Sequence, residues 1–312
     1  MSRTNFVPRA TRPGRRLSSL AFRLAAVGLV FGAAAAARAQ VISPNTGSLG
    51  SSANATNSAA VTFGPGAVTA GGDLSAVYDG TLAASTTRPF LAALNPPSGS
   101  PFSIEFWAQP TASDNDDAPV SNRVAAGNRS GWVFFQRVAG TGWNFRMYNG
   151  VGSGLGWDLT GGTATLNAWS HVVATWNGSA ATLYVNGVLA DNTNDPAATG
   201  AYNANPASTS ASLILAQSDT GSPYTGSVDE TAFYGSALTP VQVLAHFNAA
   251  SSGIAGAYHS LVRSDGALLQ LSNNPVPEPG TAVLTGAGAL LLLGHRALRR
   301  RKQRDAQQLS PS

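Results

Sequence analysis

The chain has 312 residues, a formal net charge of +4 and no cysteine. Disulfides, thiolate metal sites and cysteine nucleophiles are therefore excluded. The positive charge lies at the two ends. Residues 1–40 contain seven arginines and no acid, and residues 279–312 contain five arginines and one lysine, whereas residues 41–278 contain six arginines and fourteen carboxylates. The body is thus acidic and lacks the clustered basic residues of a nucleic-acid-binding surface.

The N-terminal segment has the three parts of a secretory signal peptide. A basic region is followed by an apolar stretch over residues 24–37, and the small-x-small site Ala37-Arg38-Ala39 precedes Gln40. We predict a signal peptide over residues 1–39, with cleavage after Ala39. The alternative is an uncleaved anchor, which fits less well because the apolar stretch has 14 residues, whereas a span needs about 20.

Short strand patterns separated by turn residues recur over residues 41–272 and indicate antiparallel β-structure. In FSIEFWAQP, Ile104 and Phe106 are predicted to lie on one face, and Glu105 and Trp107 on the other. Further strands are predicted at Trp132–Val138, Trp143–Tyr148, Ser170–Trp176 and Ala181–Val185, and in ASLILAQ and GSVDETAFYG. The pairs Asn177-Gly178 and Asn186-Gly187 are typical of type I′ turns, which require positive φ at both central residues.

One helix is predicted within the body, in LTPVQVLAHFNAA. Thr239 as N-cap, Pro240 at the first helical position and Gln242 at the third make a capping box. The shared face of this helix is predicted to contain Val241, Leu244, Ala245 and Asn248. Many short strands with one short helix predict a β-sandwich of two antiparallel sheets.

These blocks resemble successive motifs of a laminin-G-like domain of the concanavalin A-like lectin/glucanase superfamily. The matching stretches, in order, are VYDGTLAASTTRPFLAALNPPSGSPFSIEFWAQP, WSHVVATWNGSAATLYVNGVL and GSVDETAFYGSALTPVQVLAHFNAA. The resemblance implies an all-β fold over residues 47–250: a concanavalin A-like jelly-roll sandwich of two antiparallel sheets with one short helix. An N-terminal signal helix and a C-terminal apolar helix are expected to flank it.

The stretch AYHSLVRSDGALLQLSNNP, residues 257–275, resembles the strand with which such domains often open, yet it follows the domain. Two interpretations stay open. It is the head of a lost second repeat, or it is an Asp-Gly hairpin that pairs into the sheet and supplies the missing edge strand, which we favour slightly. Residues 251–274 are accordingly predicted to be a linker with an extra hairpin.

The C-terminal segment joins three prolines, an apolar run over residues 281–293 and an arginine-rich block. The prolines favour an extended spacer. As a helix, the 13 apolar residues would cover about 20 Å, which is short of the ~30 Å hydrocarbon core of a membrane. We therefore predict that the segment is a marginal membrane span with its arginines in the cytoplasm.

The sequence VPEPGTAVLTGAGALLLLGHRALRRR resembles the PEP-CTERM sorting signal of Gram-negative bacteria. Its motif is formed by Val276, Pro277, Glu278 and Pro279. We assign residues 275–304 to this signal and transmembrane segment, and residues 305–312 to a tail. The resemblance implies recognition by an exosortase; an ordinary C-terminal anchor is the alternative.

No catalytic residues are predicted. Retaining glycosidases need two carboxyl groups about 5–5.5 Å apart, and the E-x-D-x-x-E motif that supplies them on this fold is absent. Asp229 and Glu230 are adjacent, so as strand neighbours they are predicted to point to opposite faces. Packing or surface roles are predicted for the histidines of the body, His171, His246 and His259. We therefore expect that the protein is not an enzyme.

Two loops carry the oxygen ligands that Ca²⁺ prefers. The candidate ligands are Asp114, Asp116 and Asp117 in SDNDDAP, with Asp191, Asn192, Asn194 and Asp195 in ADNTNDP as a second set. Neither loop has EF-hand spacing, so a calcium site and a solvated loop whose side chains cap the backbone stay open alternatives. No other cofactor is expected.

Carbohydrate binding would favour exposed aromatic rings, but core packing is the more frequent role of aromatics in a β-domain. The aromatic residues in or near predicted loops are Trp143, Tyr148, Trp157, Tyr202 and Tyr224. Ligand-binding residues stay unassigned on this basis.

The resemblances together imply an exported protein of the cell surface or extracellular matrix, held transiently in the inner membrane by its C-terminal helix. The expected partners are exosortase, the secretion machinery, and exopolysaccharide or other glycans. The favoured function is a non-enzymatic binding or adhesion module. The alternatives are a structural matrix protein without a specific ligand and, least favoured, a glycan hydrolase.

Overall fold

The computed structural model describes residues 41–68, 72–112, 115–137, 142–152, 154–193, 202–203, 211–219, 221–273 and 276–277. The predicted signal peptide lies outside these residues, as do Asp114, Glu278, Pro279 and the rest of the C-terminal segment. Within the described residues, no helix is both long and apolar enough to cross a membrane.

The described residues form short strands throughout. In chain order these are β1 Val41–Ser43, β2 Ala55–Asn57, β3 Thr62–Pro65, β4 Leu74–Asp79, β5 Thr86–Arg88, β6 Phe102–Pro110, β7 Asn115–Asp117, β8 Val120–Ser121, β9 Trp132–Arg137, β10 Gly142–Tyr148, β11 Leu155–Gly161, β12 Ser170–Trp176, β13 Ala181–Val185, β14 Val188–Asp191, β15 Leu213–Leu215, β16 Thr225–Tyr234, β17 Ala267–Gln270 and β18 Val276–Pro277. The helices are α1 Pro240–Ala250 and α2 Ala257–Ser264, with short 3₁₀ turns at Gly50–Ala53 and Ala92–Leu94.

The strands form two antiparallel sheets in a jelly-roll-like sandwich, as predicted. Sheet 1 has the order β11-β10-β9-β8-β15-β5-β2-β1-β18, with β7 paired to β9. Sheet 2 has the order β14-β13-β12-β6-β16-β4-β3, with β17 paired to β16. The first residues of the predicted sorting motif form β18, which pairs with β1.

The main core lies between the sheets and follows from the alternation of side chains along each strand. Ile104 and Phe106 of β6 point into it, and the Phe106 ring meets Phe134 of sheet 1 at 4.8 Å, edge to face. Glu105 and Trp107 point to the other face of sheet 2. The predicted two-faced pattern of β6 is confirmed.

Helices α1 and α2 cover the outer face of sheet 2 and build a second core there. Trp107 packs beneath them, with Tyr258 and Val262 of α2. The capping box of α1 is present as predicted, since Thr239 and Gln242 satisfy each other's backbone N–H groups.

The predicted face of α1 is wrong, because Val241 is 77% exposed and Leu244 is 45% exposed. The buried residues of the helix are Val243, His246 and Ala250. The helix lies over the buried carboxylate of Glu105. The face of the helix that holds His246 therefore points toward the sheet.

The predicted linker and hairpin after the domain are replaced by helix α2 and strand β17. Tyr258 and Val262, one turn apart, bury the inner side of α2. Gly266, with φ of 89°, then reverses the chain. Strand β17 pairs with the second half of β16, beyond the point where β4 stops pairing with the first half. The strand therefore does extend the sheet, but through a helix rather than a hairpin.

One of the two predicted type I′ turns is confirmed. Asn186 and Gly187 have φ of 52° and 76° and join β13 to β14. At Asn177-Gly178 only the glycine has positive φ, and the loop between β12 and β13 has four residues. Asn177 Oδ1 accepts from two backbone N–H groups of that loop, which fixes it as an Asx turn.

Candidate functional site

A buried carboxylate organises the contact between sheet 2 and the helices. Glu105 is 0% exposed. It accepts hydrogen bonds from His171 Nε2 at 2.8 Å, His246 Nδ1 at 2.8 Å, Tyr234 Oη at 2.6 Å and Tyr258 Oη at 2.8 Å. The opposite ring nitrogen, His246 Nε2, contacts Asp265 Oδ2 at 2.9 Å. We call these six residues the Glu105 network.

The Glu105 carboxylate is electrostatically satisfied, although Nδ1 of His171 has no hydrogen-bond partner within the described residues. Burial alone would raise the pKa of Glu105, but the hydrogen bonds and charges of His171 and His246 outweigh it and hold that pKa below its usual range. Burial alone would lower the pKa of His246, whereas Glu105 and Asp265 raise it. With its oxygens fully used and closed from solvent, Glu105 acts as a structural anchor.

A second group of ionisable residues lies on the same face and contradicts one prediction. Strand β16 has an irregular register between Asp229 and Ala232, and Glu230 has φ of 49°. Because of this bulge, Asp229 and Glu230 both come close to Asp73, instead of pointing to opposite faces. The prediction that the two side chains point to opposite faces is therefore wrong.

We call the group of Asp73, Asp229, Glu230 and His259 the acidic cluster. Its ligand-type atoms on Asp73, Glu230 and His259 all lie within 4.8 Å of one another. His259 Nε2 contacts Glu230 Oε1 at 2.7 Å. Around this core, Gln270 donates to Glu230, and Asn273 and the Ala67 N–H donate to Asp229.

The acidic cluster is less well satisfied than the Glu105 network. Both Asp73 carboxylate oxygens are closed from solvent and accept no hydrogen bond from an N–H or hydroxyl group of the described residues, and the Asp229 carboxyl group is their polar neighbour. Burial first, and the neighbouring charges of Glu230 and Asp73 second, raise the pKa of Asp229 well above its usual value. Burial also raises the pKa of Glu230, although His259 opposes it. The pKa of His259 is raised by its hydrogen bond to Glu230.

An open pocket of about 550 Å³ lies on the loop that follows β15. It is lined by Leu82, Ile214, Gln217, Ser218, Asp219 and Gly221. Leu82 is 61% exposed, so the pocket has an apolar wall beside polar groups. The pocket is shallow and open to solvent, with polar and apolar groups side by side.

The described residues of the loop that forms this pocket have a strained backbone. Ala216 and Ser222 have φ of 70° and 58°, in a region that residues other than glycine seldom adopt. Ser218 and Gly221 exchange backbone hydrogen bonds, and Arg123, which is 7% exposed, contacts Asp219 Oδ1 at 2.9 Å and Ser218 Oγ at 2.7 Å. Strain of this kind is concentrated at ligand-binding loops.

The predicted calcium ligands are not all brought together by the described residues. Asp116 forms a salt bridge with Arg137, and Asp117 is buried at the edge of sheet 1. In the second loop, Asp191 accepts from the Thr160 and Thr193 N–H groups. The contact between Asp191 and Thr193 is a cap within its own loop. Asn194 and Asp195 lie outside the described residues, and calcium at either loop stays a prediction.

The aromatic residues that might have bound sugar are largely core residues. The buried ones are Trp143, Tyr148, Tyr202 and Tyr224, and Trp157 is half-buried. Among the described residues, no aromatic side chain is strongly exposed. Sequence reasoning missed the pocket residues and Asp73, because neither set forms a local motif.

A sandwich of two antiparallel sheets with helices on one outer face defines a lectin-like jelly roll. Residues 79–244 match the Laminin_G_3 family, described as the concanavalin A-like lectin/glucanases superfamily. The chain belongs to this family. No curated protein matches the sequence.

Several solved structures are similar to this chain. The binding domain of Paraclostridial Mosquitocidal Protein 1 is 18% identical with a TM-score of 0.50, covering 67% of this chain and 52% of that one. The binding domain of botulinum neurotoxin serotype G is 15% identical with a TM-score of 0.49, covering 67% and 50%. Domain 4 of AbnA, a GH43 extracellular arabinanase from Geobacillus stearothermophilus solved with arabinotriose, is 18% identical with a TM-score of 0.43, covering 66% and 98%. The chain thus spans about half the length of the two toxin domains.

Proposed function

We propose that this protein is an exported, non-enzymatic binding module of the cell surface or biofilm matrix, and that its lectin-like domain binds carbohydrate. The observation that carries the proposal is the pocket beside Asp219, on a strained loop of a lectin-type sandwich. Asp219 is oriented by Arg123 and by the Ala125 N–H, one at each carboxylate oxygen, and Gln217 lines the pocket beside it. A carboxylate and an amide therefore stand beside an apolar wall, as sugar hydroxyls and a sugar ring require.

The burial of the paired carboxylates supports a binding role over hydrolysis. Asp229 and Glu230 are 0% exposed, and the oxygens of Asp73 are closed from solvent. A glycosidase needs its two carboxyl groups on either side of the scissile bond, with room for the sugar. Neither the acidic cluster nor Glu105 offers that room.

A glycan array probed with the full-length protein tests the binding proposal. We expect binding to a restricted set of glycans, and a loss of about tenfold or more in affinity for Gln217→Ala and for Leu82→Ser, since both remove ligand contacts in the pocket. Leu189→Ser is the matched control, because Leu189 is 52% exposed but lies on β14, outside the pocket lining.

Two outcomes would contradict the proposal. An array without binding would favour a structural matrix protein that has no specific ligand. Equal binding by wild type, Leu82→Ser and Leu189→Ser would place the ligand elsewhere on the domain.

Export and sorting form the second part of the proposal and are supported by the sequence patterns at the two ends. We expect removal of residues 1–39 and processing at the Val276-Pro277-Glu278-Pro279 motif by an exosortase. Intact-mass measurement of the protein from its native host tests both steps. A mass that retains the C-terminal segment in a strain with active exosortase would contradict the sorting step.

A further inference from the structure

The geometry points to a divalent metal site with mixed nitrogen and oxygen ligands, formed by Asp73, Glu230 and His259, with Asp229 beside it. We propose that it takes a transition-type ion such as Zn²⁺. The site lies between sheet 2 and helix α2, apart from both loops predicted for calcium and from the pocket beside Asp219.

The ligand atoms are already close enough to share an ion. One oxygen each of Asp73 and Glu230 and one ring nitrogen of His259 lie within 4.8 Å of one another. Zinc bonds oxygen and nitrogen at about 2.0–2.2 Å, so two of its ligands lie about 3–4 Å apart. Small side-chain rotations therefore complete the site. The His259 side chain is 24% exposed, which gives an ion a path from solvent.

An independent observation points to a missing ligand. Both Asp73 oxygens are closed from solvent and accept no hydrogen bond from an N–H or hydroxyl group of the described residues; their polar neighbour is the Asp229 carboxyl group. Two adjacent carboxyl groups that are closed from solvent must share a proton or bind a cation. A Cβ atom added to Gly66 would clash with Asp73 Oδ2 and would lie 2.8 Å from Asp229 Oδ2. These two oxygens therefore face the same space beside Gly66. The glycine leaves open the space where the carboxylates converge.

The charges around the site favour a cation. Three carboxylates, Asp73, Asp229 and Glu230, meet one histidine. The other charged group that acts on His259 is Arg263 of helix α2, and the polar groups that face the carboxylates are Gln270, Asn273 and the Ala67 N–H. One histidine does not balance three carboxylates in a site of low polarity, whereas a divalent ion does.

The ligand types select the class of metal. Calcium and magnesium prefer sites made of oxygen ligands alone. A histidine nitrogen with two carboxylates suits zinc and related transition ions. His259 would release its proton on binding, as imidazole ligands do.

Calorimetric titration of the full-length, tag-free, chelator-treated protein with ZnCl₂ tests this site. We expect one Zn²⁺ per chain, bound more tightly than Ca²⁺, with a rise in the melting temperature. Asp73→Asn and His259→Gln are each expected to weaken zinc binding about tenfold or more, because each removes a ligand. Gly66→Ala keeps every ligand but fills the space between the carboxylates, and is expected to weaken binding as well.

Asp116→Asn is the matched control and is expected to bind zinc like wild type, since it removes a carboxylate from a predicted calcium loop instead. The melting temperature of each metal-free variant shows that it is folded. The proposal is overturned if wild type gives no zinc heat, if Asp73→Asn and His259→Gln bind like wild type, or if Ca²⁺ binds more tightly than Zn²⁺. If wild type gives no zinc heat, the carboxylates are balanced by a shared proton instead of a metal ion.

Discussion

Glu105 and Asp229 are both 0% exposed and lie on the same side of two paired strands, yet their surroundings differ. Glu105 receives four hydrogen bonds, two of them from histidines. Asp229 receives hydrogen bonds from one amide side chain and from the backbone, and it lies against two further carboxylates. Donors and counter-charges, rather than burial alone, therefore set the direction in which the pKa of each buried carboxyl group moves. Both oxygens of Glu105 have donors within the protein, whereas those of Asp73 have none among the described residues.

The largest effect is expected from removing the centre of the complete network. Glu105→Leu leaves His171, His246, Tyr234 and Tyr258 buried without their acceptor, so the free energy of unfolding is expected to fall by about 3–5 kcal/mol. Glu105→Gln is the control: it keeps one acceptor oxygen and should lose less. Urea unfolding measures both. A loss below about 1 kcal/mol for Glu105→Leu would show that the network is dispensable.

The next effect depends on pH. The pKa of His246 is raised above 6.5, so its stabilisation is fully present below pH 6.5 and is lost as the pH rises through its folded value. The pKa of Glu105 is lowered from 4.5, so its stabilisation is present above pH 4.5 and is lost as the pH falls through its folded value. Wild type is expected to be more stable than His246→Gln by about 2 kcal/mol. This difference should be greatest between pH 4.5 and pH 6.5.

Melting temperatures of wild type and His246→Gln across this range provide the measurement. The difference should shrink as the pH is raised above 6.5. A difference that is constant with pH would mean that His246 contributes by packing alone.

A smaller loss is expected from the cap of the helix that carries His246. Thr239→Ala removes the acceptor for the Gln242 N–H and should cost about 1 kcal/mol in the free energy of unfolding. Thr163→Ala, at an exposed threonine, is the matched control and should change it by less than about 0.5 kcal/mol. Equal losses in the two variants would contradict the role of the cap.

The smallest effect has the opposite sign and concerns the acidic cluster. In the metal-free protein, Asp73→Asn removes one of three neighbouring carboxylates and should raise the free energy of unfolding by up to about 1 kcal/mol. Chemical denaturation in the presence of a chelator measures this change. Destabilisation by Asp73→Asn would show that Asp73 makes favourable contacts without any ion.

Local patterns were sufficient to predict much of the fold. The two faces of β6, the strand over Ser170–Trp176 and the capping box at Thr239 each depend on side-chain alternation or on contacts within four residues. The buried face of α1 was not predictable, because it is selected by Glu105, which lies on a strand distant in sequence.

The acidic cluster was harder to predict because it depends on tertiary structure. The bulge at Glu230 changes the direction of one side chain, and no sequence pattern marks it. Asp73 precedes β4 and His259 lies on α2, so only the folded chain brings them to Glu230. The pocket beside Asp219 has the same origin, since Leu82 reaches it from a loop far from β15.

A crystal structure of the full-length protein soaked with Zn²⁺ tests the contrast between the Glu105 network and the acidic cluster. Anomalous diffraction data are collected at the zinc edge. We expect one anomalous peak about 2.0–2.2 Å from atoms of Asp73, Glu230 and His259, and no peak at Glu105. A map without a peak at the acidic cluster, under conditions in which the crystal contains zinc elsewhere, would contradict this expectation.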